Sequence, residues 1–118
     1  MHFGGLDYKP NFEGGIMKVI KTNEFDSVVE KGIVLVDFYA VWCGPCRVMG
    51  QILLDVEDAV GESATIVKVD VDDDPDLARR FGVMSIPTML LFKDGQMVEK
   101  HIGIWQYEDC LETIKSYL

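Results

Sequence analysis

The sequence predicts a single α/β domain, a central mixed β-sheet of about five strands flanked by four helices. Three observations carry that prediction. Apolar, β-branched segments alternate along the chain with amphipathic helical segments, the pattern that packed layers of sheet and helix require. An Asp-Gly pair between two apolar segments near the C-terminus adds a hairpin, which makes the sheet mixed rather than wholly parallel. The length of 118 residues suits one hydrophobic core and is too short for two domains.

Residues 1–15 contain Gly4-Gly5, Gly14-Gly15, Pro10 and Asn11 without an apolar period, and read as a flexible N-terminal extension to a domain over 16–118. Ile16–Ile20 is the first expected strand. Thr22 can cap a helix through about Lys31, with Phe25, Val28 and Val29 on one face and Gly32 as its stop. Ile33–Tyr39 is β-branched and aromatic, as buried strands are. Met49, Ile52, Leu53, Val56 and Val60 recur at helical spacing, so a long helix runs from the cysteines to about Val60, where Gly61 ends it. Thr65–Val71 is the next strand, and Pro75–Phe81 a short helix. Ile86–Phe92 and Met97–Ile102 flank the turn, and a last helix from about Gln106 to Tyr117 carries Tyr107, Cys110, Leu111 and Ile114 on one stripe.

Charge narrows the function. Twenty acidic against 11 basic residues give a net charge of −9. Such a surface repels phosphate backbones and anionic lipid, so neither nucleic acid nor membrane is the expected partner. No segment approaches the roughly 20 apolar residues of a membrane span. Residues 1–15 also lack the basic start and apolar stretch of a secretory signal, so the expected compartment is the cytoplasm.

Three cysteines is an odd count, and two of them form the pair Cys43-Gly44-Pro45-Cys46 where a buried strand gives way to a long helix. In a reducing compartment such a pair binds metal or exchanges electrons. Cys43 stands at the helix N-terminus, where free N–H groups and the helix dipole favour a thiolate, the attacking species. Cys46 lies about one turn further in, is expected to be less exposed, and is close enough to close a disulfide. Pro45 is preset for the first helical turn. A structural zinc needs four ligands, and the remaining candidates, Cys110, His2 and His101, show no ligand spacing. Asp37 interrupts an apolar strand on the face of Leu35 and Tyr39, so burial is expected. Burial raises a carboxyl toward neutral titration, which suits either a proton acceptor or a hydrogen-bonded structural residue. The aspartates at 70, 72, 73, 74 and 76 do not form a calcium loop. Counted from Asp70, Pro75 and Phe81 stand where glycine and glutamate are required, so the run reads as a solvated loop leading into a helix.

Trp42-Cys43-Gly44-Pro45-Cys46 resembles the active-site sequence of the thioredoxin family. Val36–Ala40 is similar to the family's central strand and Lys68–Asp72 to the next strand. Ser85–Thr88 is similar to the cis-proline loop, and Gly103 to the glycine after the final strand. The resemblance covers about Lys18 to Leu118. It implies the thioredoxin fold and reduction of disulfides in target proteins through a mixed disulfide, with Cys43 as nucleophile and Cys46 as resolving thiol. It further implies Asp37 as proton acceptor and Lys68 as a tuning charge. A cis Ile86–Pro87 bond and a docking surface of Trp42, Gly44, Pro45, Ile86, Pro87 and Gly103 follow from it too. No cofactor or metal is implied; the implied partners are disulfide-containing proteins and a thioredoxin reductase, with the chain a monomer. Tyr39 stands where many members have tryptophan, Gln51 replaces a proline that kinks the helix, and Cys110 reads as an apolar filler in the last helix, where Trp105 is also expected. A disulfide oxidase or isomerase on the same fold, and a non-catalytic binding subunit, are the alternatives. Gly44-Pro45, without a histidine between the cysteines, points to the reducing member.

Overall fold

Ile33–Tyr39 is buried at all seven positions and forms the central strand, β3, of the sheet. A strand covered on both faces reads as an apolar run without polar alternation, and Asp37 is the one charged residue in this segment. The structure, a computed structural model, describes residues 8–10 and 16–118. In chain order the elements are β1 (Tyr8–Pro10), β2 (Ile16–Val19), α1 (Thr22–Val29), β3, α2 (Gly44–Val60), β4 (Thr65–Asp70), α3 (Asp76–Arg80), β5 (Thr88–Lys93), β6 (Gln96–Ile102) and α4 (Tyr107–Lys115). The sheet order is β1-β2-β4-β3-β5-β6. β4 runs parallel to both β2 and β3, while β5 and β6 add antiparallel.

The expected mixed sheet and four helices are therefore present, and a short sixth strand extends the edge, Tyr8–Pro10 pairing antiparallel with Ile16–Lys18. The expected extension over 1–15 otherwise lies outside the described residues. The sheet divides two clusters. On one face α2 and α4 bury Met49, Leu53, Val56, Cys110 and Ile114 against Leu35, Ile66, Met89 and Leu91. On the other, α1 and α3 bury Phe25, Val29 and Leu77 against Val34, Val36, Val67, Leu90 and Phe92. Phe25, Phe81 and Phe92 form an aromatic triangle there, with ring centroids 5.2–5.6 Å apart.

Three boundaries differ from the sequence reading. Lys21, not Thr22, is the N-cap of α1. Thr22 is the first helical residue, and Asp74 accepts both its N–H and its hydroxyl at 2.7 Å. β5 starts at Thr88, after the cis Ile86–Pro87 bond, so Ile86 and Pro87 lie before the strand. Trp105 precedes α4, whose N-cap is Gln106. The hairpin is as tight as Asp-Gly allows: Asp94 and Gly95 both have positive φ, 49° and 87°, as a two-residue turn with the strands' own twist requires. Asp94 also accepts the Gly32 N–H at 2.8 Å, pinning the turn to the α1–β3 connection. Among the described residues no helix is long and apolar enough to cross a membrane.

Phe25 is fully buried within the aromatic triangle, so Phe25→Ala removes both apolar burial and ring contacts. Urea unfolding is expected to show a loss of about 3–5 kcal/mol. Met97→Ala, at a half-exposed position on β6, should change stability by no more than about 0.5 kcal/mol.

Candidate active site

β3 ends at Tyr39, and the chain turns through Ala40, Val41 and Trp42 with the Cys43 N–H donating to the Ala40 carbonyl at 3.2 Å. Cys43 is then the N-cap of α2, with extended backbone angles, and Gly44 and Pro45 open the helix. In that position Cys43 Sγ does what a capping oxygen does elsewhere: it accepts the Cys46 N–H, at 3.2 Å. Cys43 and Cys46 are joined in a disulfide with their Cα atoms 5.2 Å apart. The sequence predicts Cys46 as the less exposed of the pair, but both are 4% exposed. Cys43 is packed in the cluster of Val19, Tyr39, Ala40 and Cys46, against which Ile86 packs. α2 runs unbroken past Gly50 and Gln51 to Val60.

The remaining predicted docking residues come from three separate loops. Ile86–Pro87 is cis, and Thr88 Oγ1 closes the turn by donating to the Ser85 carbonyl at 2.7 Å. Gly103 donates its N–H to the Pro87 carbonyl at 2.8 Å, so the end of β6 is tied directly to the cis-proline loop. Its φ of +90° is one that a side chain strains, which accounts for glycine here. Trp42 is 67% exposed, yet its Nε1–H donates to Asp72 at 2.6 Å.

That bond corrects the sequence reading of the aspartate run as a merely solvated loop. Asp70 is buried and accepts the Asp72 and Asp73 N–H groups at 3.0 and 3.2 Å, shaping the loop that offers Asp72 to the tryptophan. The sequence reading missed Asp72 because no local period links positions 42 and 72. The excess of aspartates after a strand is the one signal it offered.

Beneath this rim lies the predicted carboxyl. Asp37 is fully buried, and neither of its oxygens has a hydrogen-bond partner among the described residues. Burial pushes its pKa up to about 7, and the nearby Lys68 charge opposes part of that rise. Lys68 lies directly opposite in the β3–β4 register and is 7% exposed, so it is a buried lysine. Its Nζ stands 4.2 Å from the centre of the Tyr39 ring, a cation–π contact that shelters the charge. Burial, followed by the charges of Asp70 and Asp37, raises the Tyr39 hydroxyl well above its ordinary range. Trp105 is buried, stacks on His101 at 4.6 Å, and donates its backbone N–H to Met49 Sδ of α2 at 3.2 Å.

The disulfide at the start of α2 and Ile86 of the cis-proline loop thus pack in one cluster although they lie far apart in the chain.

Comparison with known proteins agrees with that geometry. The thioredoxin family model matches residues 16–116. The thioredoxin of Listeria monocytogenes is 44% identical over 103 residues, which is 87% of this chain and 100% of that protein. The thioredoxin of Staphylococcus aureus is 42% identical over 104 residues, 86% of this chain and all of the relative. Among solved structures, a mutant thioredoxin from Halobacterium salinarum superposes with a TM-score of 0.75 at 36% identity, covering 84% of this chain and 87% of the other. Oxidised mitochondrial thioredoxin 3 of Saccharomyces cerevisiae gives 0.76 at 36% identity, covering 85% and 93%. With its disulfide capping α2 and relatives matched over their full length, the chain belongs to the thioredoxin family of thiol–disulfide oxidoreductases.

Proposed function

We propose that Cys43 is the attacking thiolate and Cys46 the resolving thiol of a cytoplasmic, monomeric protein-disulfide reductase. The observation that carries this assignment is the capping bond from the Cys46 N–H to Cys43 Sγ at the start of α2. A sulfur that already accepts a helix N–H, at the positive end of the helix dipole, is stabilised as an anion after reduction.

The Cys43 thiolate attacks one sulfur of a target disulfide; the target S–S bond breaks and its other sulfur leaves as a thiolate that takes a proton. Asp37 accepts the Cys46 proton, Cys46 attacks Cys43 Sγ, and the second target thiol departs. The target gains two electrons and this chain is left as the Cys43–Cys46 disulfide, which a thioredoxin reductase returns to the dithiol. Lys68 tunes Asp37 from the neighbouring strand. Trp42, Gly44, Pro45, Ile86, Pro87 and Gly103 form the shallow surface on which an extended target segment lies, the Ile86 backbone being free of the β5 ladder to pair with it. Gly44 and Pro45 put no imidazole beside the thiolate, which supports the reducing over the oxidising role. The net charge of −9 supports protein rather than nucleic-acid partners.

In an insulin-reduction assay with dithiothreitol as electron donor, the wild-type chain is expected to accelerate precipitation of the insulin chains. Cys43→Ser should fall to the uncatalysed rate. Cys46→Ser should instead trap mixed disulfides, visible on non-reducing gels. A folded wild-type chain that leaves the insulin rate unchanged would overturn the assignment.

Asp37 gives a second test with opposite effects on stability and rate. The folded chain holds a proton on Asp37 up to about pH 7, whereas the unfolded carboxyl releases it near its ordinary value of 3.8. Stability contributed by this group therefore falls as pH rises between those values, by on the order of 4 kcal/mol in total. Asp37→Asn should raise the urea midpoint at pH 8 and change it little at pH 4. The same variant should slow the resolving step by about tenfold or more above neutral pH.

A further inference from the structure

Gly103 is the first residue after β6, at the start of the connection over residues 103–106 that leads to α4. Such connections move more than the elements they join unless side chains tie them down. This one is tied at each of its first three residues. The Gly103 N–H goes to the Pro87 carbonyl at 2.8 Å. The Ile104 carbonyl stands 3.1 Å from His101 Nε2, and because a carbonyl only accepts, the ring proton sits on that nitrogen. The Trp105 N–H goes to Met49 Sδ at 3.2 Å.

His101 holds the connection a second time through its ring face. It lies parallel to the Trp105 indole, with 4.6 Å between centroids and 6° between planes. Trp105 is buried in the same cluster as Met49, Leu35 and Met89, so its backbone N–H has no water to turn to. A thioether is a weak acceptor, yet without it that donor would be left unpaired in an apolar core. A leucine at position 49 would fill the space and accept nothing.

The placement of these holds gives them a consequence for the exchange. Met49 lies one turn beyond Cys46 on α2, and Gly103 is bonded to the cis-proline loop. Trp105, two residues past Gly103, therefore joins the redox helix to the far end of the docking surface. We propose that His101, Trp105 and Met49 are positioning residues for target docking: they fix the Gly103 end of that surface relative to α2, so that a target segment meets a preformed site. The proposal rests on Gly103 being part of the docking surface. Ordering a loop on contact costs affinity, so freeing this one weakens the hold on a protein target. It leaves the chemistry of the two sulfurs unchanged.

The test mixes pre-reduced wild type, His101→Ala and Met49→Leu with increasing excesses of insulin and follows the loss of free thiol. It yields a half-saturation concentration and a limiting rate. The same proteins are mixed with hydroxyethyl disulfide, which is too small to need a docking surface. Each substitution is expected to raise the insulin half-saturation concentration about fivefold, the worth of one hydrogen bond. The limiting rate, and the rate with hydroxyethyl disulfide, should stay at the wild-type values. Hydrogen exchange at the Gly103 amide should quicken in both variants. His101 is half-buried, so its truncation leaves the core in place, and it carries the test if Met49→Leu does not fold. A half-saturation concentration that stays at the wild-type value in either folded variant overturns the proposal and leaves the docking reading intact. An equal loss of rate toward insulin and hydroxyethyl disulfide overturns it as well, since the residues would then act on the redox pair. A wild type that reduces hydroxyethyl disulfide but not insulin overturns the docking reading, and this proposal with it.

Discussion

One sulfur at the N-cap of a long helix organises this molecule. Cys43 stands where β3 has ended and α2 has not yet satisfied its first N–H groups, and its Sγ takes the Cys46 N–H. An N-cap oxygen would stabilise the helix equally well, but only sulfur combines that role with reversible bonding to a second cysteine one turn along. The same contact that starts the helix therefore biases the reduced sulfur toward the anion. Everything packed around it, from β3 to the cis-proline loop, holds that junction in place.

Asp37 shows the opposite balance. A carboxyl in the middle of a central strand, without a hydrogen-bond partner among the described residues, weakens the fold at any pH where it is charged. Lys68 offsets part of that cost through the β3–β4 register, and its own burial is eased by the Tyr39 ring. A valine at position 37 would serve the strand better. Burial that lifts its titration to about 7 is the pattern expected where perturbed carboxyls do chemistry.

The rim around the disulfide is held by hydrogen bonds between loops distant in sequence. Trp42 is braced by Asp72, which Asp70 positions, and Gly103 is tied to Pro87 across the β5–β6 hairpin. An exposed indole fixed by a carboxylate has less side-chain entropy left to lose than a free one. The acidic run thus has specific tasks, with Asp74 serving α1 in the same way.

Local patterns in the chain suffice for the element order, the strand-to-helix junction at the cysteines, the hairpin turn and the burial of Asp37. Apolar runs, helical spacing, Asp-Gly and a lone charge in a strand each write one of these features. The cysteine pair, Pro87 and Gly103 were legible as well, because motif residues keep fixed neighbours in the chain. The remainder arises only on folding. The equal burial of both cysteines comes with their packing against Val19 and Ile86 from distant segments. The acceptor for Thr22 and the brace for Trp42 come from residues thirty or more positions away. Trp105 ends up in the loop before α4 rather than on it, since its backbone N–H is directed to Met49 of α2. Such contacts form when distant segments fold onto a common face, and no local spacing encodes them.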